Sequence, residues 1–117
     1  MNSAAFTVLM SVYARDNPDL FDRAMQSVWD NTLQPEQFVL VLDGPISTDL
    51  EAVVNRHAER PGFTLVRLHQ NMGLAQALNM GLQRVSCPYV LRADADDLNL
   101  PDRFAKQLPL QIGRAHV

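Results

Sequence analysis

The stretch Phe6-Thr7-Val8-Leu9-Met10-Ser11-Val12-Tyr13 decides the fold, because it is short, apolar and rich in β-branched residues, and polar residues follow it at once. Such a run is typical of a strand that is buried on both faces of a parallel sheet. The next residues, Asn17-Pro18-Asp19, supply a capping side chain, a proline and an early acid, which together predict the start of a helix. We therefore expect a first strand over residues 6–13 and a first helix over residues 18–31.

The same pattern of strand followed by helix repeats along the chain. Ser47 or Thr48 can cap a second helix, and Asn71-Met72-Gly73 can begin a third. Because strands and helices alternate with short connections, we predict an α/β fold with a mostly parallel sheet. The remaining predicted strands are residues 38–43, 63–68 and 89–91. Apolar and polar residues alternate more in 63–68, so we expect that strand near an edge of the sheet.

Length and composition restrict the function classes. The 117 residues fit one domain, and 47% hydrophobic with 20% charged residues is usual for a globular protein. A formal net charge of −3 without a run of Lys and Arg argues against a nucleic-acid partner. No stretch has the pattern of a signal peptide or the length of a membrane span, so we expect a cytoplasmic chain.

Acidic residues follow two of the predicted strands. Asp94, Asp96 and Asp97 come after the strand at 89–91, and Asp43 closes the strand at 38–43. Ligands of open α/β sheets bind beyond the carboxyl ends of the strands, so these acids should share one edge. Their mutual repulsion calls for a cation, and Mg²⁺ or Mn²⁺ bound through one or two carboxylates could also hold a diphosphate. Alternatively, the acids only cap a following helix and solvate a loop.

Two residues after the first strand are further candidates for a ligand site. Tyr13 offers an aromatic face on which a nucleobase could stack, although a strand-end tyrosine is often a packing residue. Arg15 could pair with an anionic ligand, or its side chain could simply lie in solvent. The residues alone leave both alternatives open.

Five motifs follow one another along the chain: residues 8–13, Ser27-Val28 with Asn31-Thr32, residues 41–44, residues 71–81, and residues 92–97 followed by Pro101-Asp102-Arg103-Phe104 and Gln107. Taken in order, they resemble family 2 of the glycosyltransferases, which have the GT-A (Rossmann-like) fold. Within the family, the branch of amylovoran-type exopolysaccharide transferases is the most similar. The resemblance covers about residues 6–108, and ordered motifs are far more specific than a single Asp-x-Asp.

The resemblance implies a binding site for a nucleotide-sugar donor, commonly linked to UDP. By this likeness Asp43 hydrogen-bonds the base and Tyr13 lies beside it, with Arg15 in the same region. Asp94 lies near the ribose, and Asp96 binds the Mn²⁺ or Mg²⁺ ion that bridges the diphosphate, with Asp94 as its partner in the motif. Asp97 is a further contributor, and Arg92 orients this loop.

The resemblance also implies an inverting transfer of the sugar to a saccharide or lipid-linked acceptor in polysaccharide biosynthesis. The family's general base is an acid in the second half of the sequence, so the catalytic residue of this chain is unknown. We expect residues 1–110 to be the donor-binding part of a GT-A domain, truncated after the Asp-x-Asp strand and itself inactive. A full-length relative could lie at the inner face of the membrane.

After Gln107 the family pattern continues as a helix, but here we expect it to give way at Leu108-Pro109-Leu110, and the last seven residues are 111–117. They resemble the in-frame translation of a sequencing-adapter oligonucleotide, and we predict that they are a non-native tail. An ordinary frayed terminus is the alternative.

Two other function classes use similar features. A nucleotidyltransferase also combines an α/β sheet, acids and a metal, but the first strand lacks the Gly-rich loop with Arg and Lys that would hold a triphosphate. A non-enzymatic nucleotide- or metal-binding module is the second alternative. Release of pyrophosphate would favour the former, and absence of metal-dependent nucleotide binding would favour a module in which the acids only cap and solvate.

Overall fold

The computed structural model describes residues 5–115, with side chains over residues 5–111. Its order of elements is β1 (Phe6–Val12), α1 (Pro18–Trp29), β2 (Gln37–Leu42), α2 (Thr48–His57), β3 (Phe63–Arg67), α3 (Leu74–Leu82), β4 (Tyr89–Arg92) and α4 (Arg103–Ala115). The predicted alternation of strands and helices is confirmed, and the elements differ from their predicted bounds by one to three residues.

The four strands form one parallel sheet in the order β3-β2-β1-β4. This order places β1 and β2 in the centre, where both faces are covered, and it puts β3 at an edge, as its alternating sequence indicates. Their carboxyl ends meet at one edge of the sheet, so the loops after β1, β2 and β4 are neighbours. The parallel α/β fold predicted from the sequence is therefore confirmed.

Alternate residues of the central strands face two apolar layers. One face, which includes Val8, Met10 and Leu40, packs against apolar side chains of α1, α2 and α4. The other face, which includes Leu9 and Val41, packs against α3. The helices thus fix the sheet from both sides and leave the loops at its carboxyl edge to form a site.

Local capping explains where helices α1 and α2 begin. Asn17 Oδ1 accepts hydrogen bonds from the Asp19 and Leu20 amides at 2.9 and 3.1 Å, with Pro18 at the first helical position. Ser47 Oγ accepts the Leu50 amide at 3.2 Å, which identifies Ser47 as the cap of α2. None of the helices over residues 5–115 is long and apolar enough to cross a membrane.

Helix α4 runs from Arg103 to Ala115 and includes Pro109. It therefore continues through residues 108–110, where we expected the family's helical pattern to give way. Of the predicted tail, residues 116 and 117 lie outside the described residues, as do the side chains of 112–115. The non-native origin of residues 111–117 stays a prediction.

Candidate functional site

A cleft of about 390 Å³ lies beyond the carboxyl ends of β1, β2 and β4. Its position is the one expected for a ligand of an open α/β sheet. The structure brings together five of the six predicted donor-site residues there and leaves Arg15 outside the lining. The lining residues are Ser11, Tyr13, Asp16, Asp43, Asn71, Gly73, Leu74, Arg92, Asp94, Ala95 and Asp96.

Asp43 forms the floor of the cleft on the side of β2. Its residue surface is only 4% exposed, and its carboxylate is held by the segment that leads into α3. Oδ1 accepts the Met72 amide at 2.7 Å, and Oδ2 accepts the Gly73 amide at 3.1 Å and Asn71 Nδ2 at 3.2 Å. A carboxylate has about four acceptor positions, so roughly one remains for a ligand.

Gly44 makes this arrangement possible. Its φ is +89°, and a Cβ built on it would lie 2.6 Å from the backbone nitrogen of Asn71. Only glycine lets the turn after β2 approach residues 70 and 71 so closely. The Asp-Gly pair, an ordinary turn signal in the sequence, is thus needed to place the Asp43 carboxylate against the amides of residues 72 and 73.

Asp94 and Asp96 lie on the opposite side of the cleft, in the loop that follows β4. Asp94 is half-exposed, and its Oδ1 pairs with Arg92 Nε at 3.0 Å. Asp96 is exposed, and among the side chains of residues 5–111 its carboxylate has no hydrogen-bond or ion-pair partner. Asp97 is also exposed but does not line the cleft.

Asp16 is a lining residue that the sequence analysis missed. Its Oδ2 accepts the Tyr13 amide at 2.9 Å, which closes the turn after β1. Burial raises the pKa of Asp16 above its ordinary value, the Tyr13 hydrogen bond opposes this, and the negative charge of Asp96 raises it further. Only its position soon after a predicted strand could have indicated it, because the residue belongs to no motif.

The aromatic residue at the cleft is Tyr13, which is 42% exposed. An exposed ring at the mouth of a cleft can stack on a planar ligand, because its apolar face gains area on contact. Asn71 and Gly73, which the sequence suggested as a tight entry into α3, have that structural role and also line the cleft.

Oxygens of the protein and of a ligand together could hold a divalent cation in the cleft. Over residues 5–111, no three His, Cys, Asp or Glu side chains gather into a complete protein cage. However, Asp96 and the second oxygen of Asp94 are hard oxygen donors at the cleft, and Mg²⁺ and Mn²⁺ sites are commonly completed by phosphates and water. The donor set therefore fits a metal that is held jointly by protein and ligand.

Comparison with known proteins links this geometry to a family. The model of the family described as "Glycosyl transferase family 2" matches residues 7–114. An amylovoran biosynthesis glycosyltransferase, AmsE of Erwinia amylovora, is 42% identical over 103 residues, which cover 88% of this chain and 39% of that protein. A UDP-Gal:alpha-D-GlcNAc-diphosphoundecaprenol beta-1,3-galactosyltransferase of Escherichia coli is 38% identical over 102 residues, covering 85% and 36%. The chain thus spans less than two fifths of these relatives.

A solved structure has the same fold. The mannosyltransferase PcManGT from Pyrobaculum calidifontis, in complex with GDP-Man and Mn²⁺, superposes with a TM-score of 0.72 at 23% identity. The alignment covers 91% of this chain and 31% of that one. At this identity the likeness shows the fold alone, which is that of the GT-A glycosyltransferases.

Proposed function

The chain belongs to glycosyltransferase family 2, and we propose that it contains the donor site of an enzyme that transfers a sugar from a nucleotide sugar. The single observation that carries the proposal is the cleft, in which Tyr13 follows the central strand β1, between Asp43 after β2 and the acids Asp94 and Asp96 after β4. An aromatic face, a buried acceptor and solvent-facing carboxylates match the base and the diphosphate of such a donor.

The base of the donor lies against Tyr13 and Asp43 in this proposal. Tyr13 supplies a stacking surface, and the remaining acceptor position of Asp43 receives an N–H of the base. Uracil presents one imide N–H, which matches the single acceptor position left on Asp43, whereas guanine presents two adjacent donors, so a UDP-linked donor is favoured. The name of the Escherichia coli relative, which specifies UDP-Gal, supports the same choice.

The diphosphate lies over Asp94 and Asp96 together with a divalent metal. Asp96 is the principal metal ligand because its carboxylate has no competing partner among the described residues, whereas Asp94 shares one oxygen with Arg92. When bound, Mn²⁺ or Mg²⁺ would neutralise the charge that grows on the leaving nucleoside diphosphate. The neighbouring PcManGT structure, which holds Mn²⁺ and GDP-Man, supports a metal in a site of this fold.

Arg92 orients Asp94 in this proposal. Its guanidinium pairs with Asp94 at the cleft, so it lowers the repulsion between Asp94 and the neighbouring carboxylates. The pair is largely solvent-exposed and contributes little to the free energy of folding. We therefore assign to Arg92 the orientation of Asp94, and we leave Arg15, which lies outside the lining, without a direct contact to the donor.

The proposed reaction is an inverting transfer. The bond between the anomeric carbon and the phosphate oxygen breaks, and the nucleoside diphosphate leaves with the electron pair. An acceptor hydroxyl forms the new bond from the opposite face and gives its proton to a general base. We assign that base to no residue of this chain. The names of the two relatives, one from amylovoran biosynthesis and one acting on a diphosphoundecaprenol-linked sugar, support a saccharide or lipid-linked acceptor.

A nucleotide panel tests the proposal. The purified chain is titrated calorimetrically with UDP, UMP and GDP, each with and without Mn²⁺, after circular dichroism has shown that it is folded. We expect UDP to bind at least about tenfold more tightly with Mn²⁺, and UMP to gain little because it lacks the second phosphate, which would supply further oxygen ligands to a metal at Asp96. A folded chain that binds UDP equally with and without metal, or not at all, would contradict the proposal.

A further inference from the structure

The loop that carries the two acids has no regular structure of its own. Residues 93–102, which we call the acid loop, connect β4 to α4 through two turns and irregular backbone. A metal or diphosphate site requires its ligands to be held within about 0.5 Å of their working positions. Something outside the acid loop must therefore fix it.

Ser27 of α1 holds the middle of the acid loop. Its Oγ accepts both the Asn99 backbone amide and Asn99 Nδ2 at 2.9 Å, and it donates to the Ala24 carbonyl at 2.7 Å. Asn99 is buried, with 8% of its surface exposed. A single hydroxyl thus fixes the backbone and the side chain of Asn99 against α1.

Asn31, just beyond the end of α1, holds the end of the acid loop. Its Nδ2 donates to the Leu100 carbonyl at 3.0 Å and to the Ser27 carbonyl at 3.1 Å, while Oδ1 accepts the Phe104 amide at 3.1 Å. Asn31 is 3% exposed, so each of these bonds is shielded from water. The side chain links α1, the acid loop and the first turn of α4 in one place.

Arg103 closes the acid loop from the other direction. Its guanidinium donates to the Arg92 carbonyl, directly before the acid loop, and to Asn99 Oδ1 within it. Burial lowers the pKa of Arg103, and the nearby charges of Asp94 and Asp97 oppose that change. Its positive charge therefore lies close to Asp94 and Asp97, and its hydrogen bonds connect the residue before the acid loop with Asn99 inside it.

We infer that Ser27, Asn31, Asn99 and Arg103 are positioning residues that set the placement of Asp94 and Asp96 and hence the affinity for a metal-bound nucleoside diphosphate. The inference rests on the proposed function and adds residues that do not line the cleft. The four side chains, called the clamp, act through the acid loop and touch no donor atom. Groups that orient metal ligands commonly change metal affinity by about 10- to 100-fold when removed.

The test compares clamp variants with a matched control. Asn31→Ala removes three hydrogen bonds of the clamp. Asn99→Ala, which removes the Asn99 side-chain bonds to Ser27 and Arg103, is the second variant in case Asn31→Ala fails to fold. The control is Gln37→Ala: its side chain bonds Thr7, Ser86, Thr64 and the Arg84 carbonyl at the opposite end of the sheet. All variants are compared by thermal unfolding, by amide hydrogen exchange over residues 94–100, and by UDP titration with Mn²⁺.

We expect the clamp variants to exchange faster over residues 94–100 and to bind UDP with Mn²⁺ about tenfold or more weakly. The control should lose stability without either change. A clamp variant that keeps the wild-type exchange rate or the wild-type affinity would overturn the inference. A folded wild-type chain that does not bind UDP would instead overturn the proposed function, and with it the donor-site role of the clamp.

Discussion

Asp43 and Asp96 both follow a strand of the same sheet and line the same cleft, but their carboxylates are in opposite situations. Asp43 is buried and receives the amides of Met72 and Gly73 and the side-chain amide of Asn71. Asp96 is exposed and has no partner among the described side chains. Most of the acceptor positions of the first carboxylate are used by the fold, whereas those of the second are all open to a ligand.

Burial and hydrogen bonding thus distinguish a carboxylate that stabilises the fold from one that is available to a ligand, which the sequence alone does not. A buried carboxylate with charge-assisted hydrogen bonds contributes to stability, since its removal leaves unsatisfied donors. An exposed acid without partners contributes almost nothing to stability and is available for binding. Substitutions on the Asp43 side should therefore lower stability, and substitutions of Asp96 should lower only affinity.

The largest expected effect on stability is that of Gly44→Ala, which tests whether the buried position of Asp43 depends on the turn after β2. The added Cβ would meet the Asn71 backbone at 2.6 Å, and φ is +89°. Strain and overpacking together should lower the free energy of unfolding by about 3 kcal/mol. Urea denaturation measures this loss.

Gly73→Ala is the matched control for Gly44→Ala. Gly73 has a similar φ of +91°, but a Cβ there would meet nothing within 4 Å. It should therefore show only the conformational cost of φ +91° with ψ 159°, a region that is almost confined to glycine, on the order of 2 kcal/mol. Equal losses in the two variants would show that the close approach of Gly44 to residue 71 is unimportant.

Asp43→Asn should come next, with a loss of about 2 kcal/mol in the free energy of unfolding. The amide that replaces one oxygen is a donor, and it would face the Met72 or Gly73 amide, also a donor. Asp97→Asn, at an exposed acid outside the cleft, should change stability by no more than about 0.5 kcal/mol. A small effect of Asp43→Asn would show that the carboxylate is not needed to hold residues 71–73.

The smallest effect on stability should be that of Asp16→Asn, which tests the repulsion between the acids of the cleft. Because the pKa of Asp16 is raised in the folded state, its ionisation disfavours folding as pH rises through that pKa. The asparagine keeps an acceptor for the Tyr13 amide and has no charge near Asp96. The variant should therefore be slightly more stable than the wild type at neutral pH, with the advantage vanishing in acid. Thermal unfolding as a function of pH measures it, and a pH-independent difference would contradict it.

The fold follows from sequence patterns because both signals on which it depends are local. Apolar runs of strand length and capped amphipathic stretches alternate without interruption, so the parallel sheet and the edge position of β3 could be predicted. The exact bounds of the elements could not be predicted: α1 ends at Trp29 rather than residue 31, where the Asn31 amide donates to the Val28 carbonyl in a tighter last turn and the Asn31 side chain donates to the Leu100 carbonyl. That bond joins residues 69 positions apart, and no local pattern reveals it.

The candidate site follows from the sequence in part. Parallel strands bring their carboxyl ends together, so the meeting of Tyr13, Asp43 and the acids could be expected. The use of Asp43 by the amides of residues 72 and 73 could not, because it depends on the tertiary approach at Gly44. Asp16 was missed because it belongs to no motif. The clamp was missed because its contacts join distant residues, although Ser27, Asn31 and Arg103 lie in recognised motifs. The roles of the site residues, the cytoplasmic location and the tail stay predictions.

The most direct test of the central claim is calorimetric titration with UDP, with and without Mn²⁺, of the wild type, Asp96→Ala and Asp97→Ala. Asp97→Ala removes the same group one residue away, outside the cleft. The account predicts metal-dependent binding by the wild type and by Asp97→Ala, and its loss in Asp96→Ala with unfolding stability unchanged within about 0.5 kcal/mol. Equal metal-dependent binding by Asp96→Ala and the wild type would contradict it.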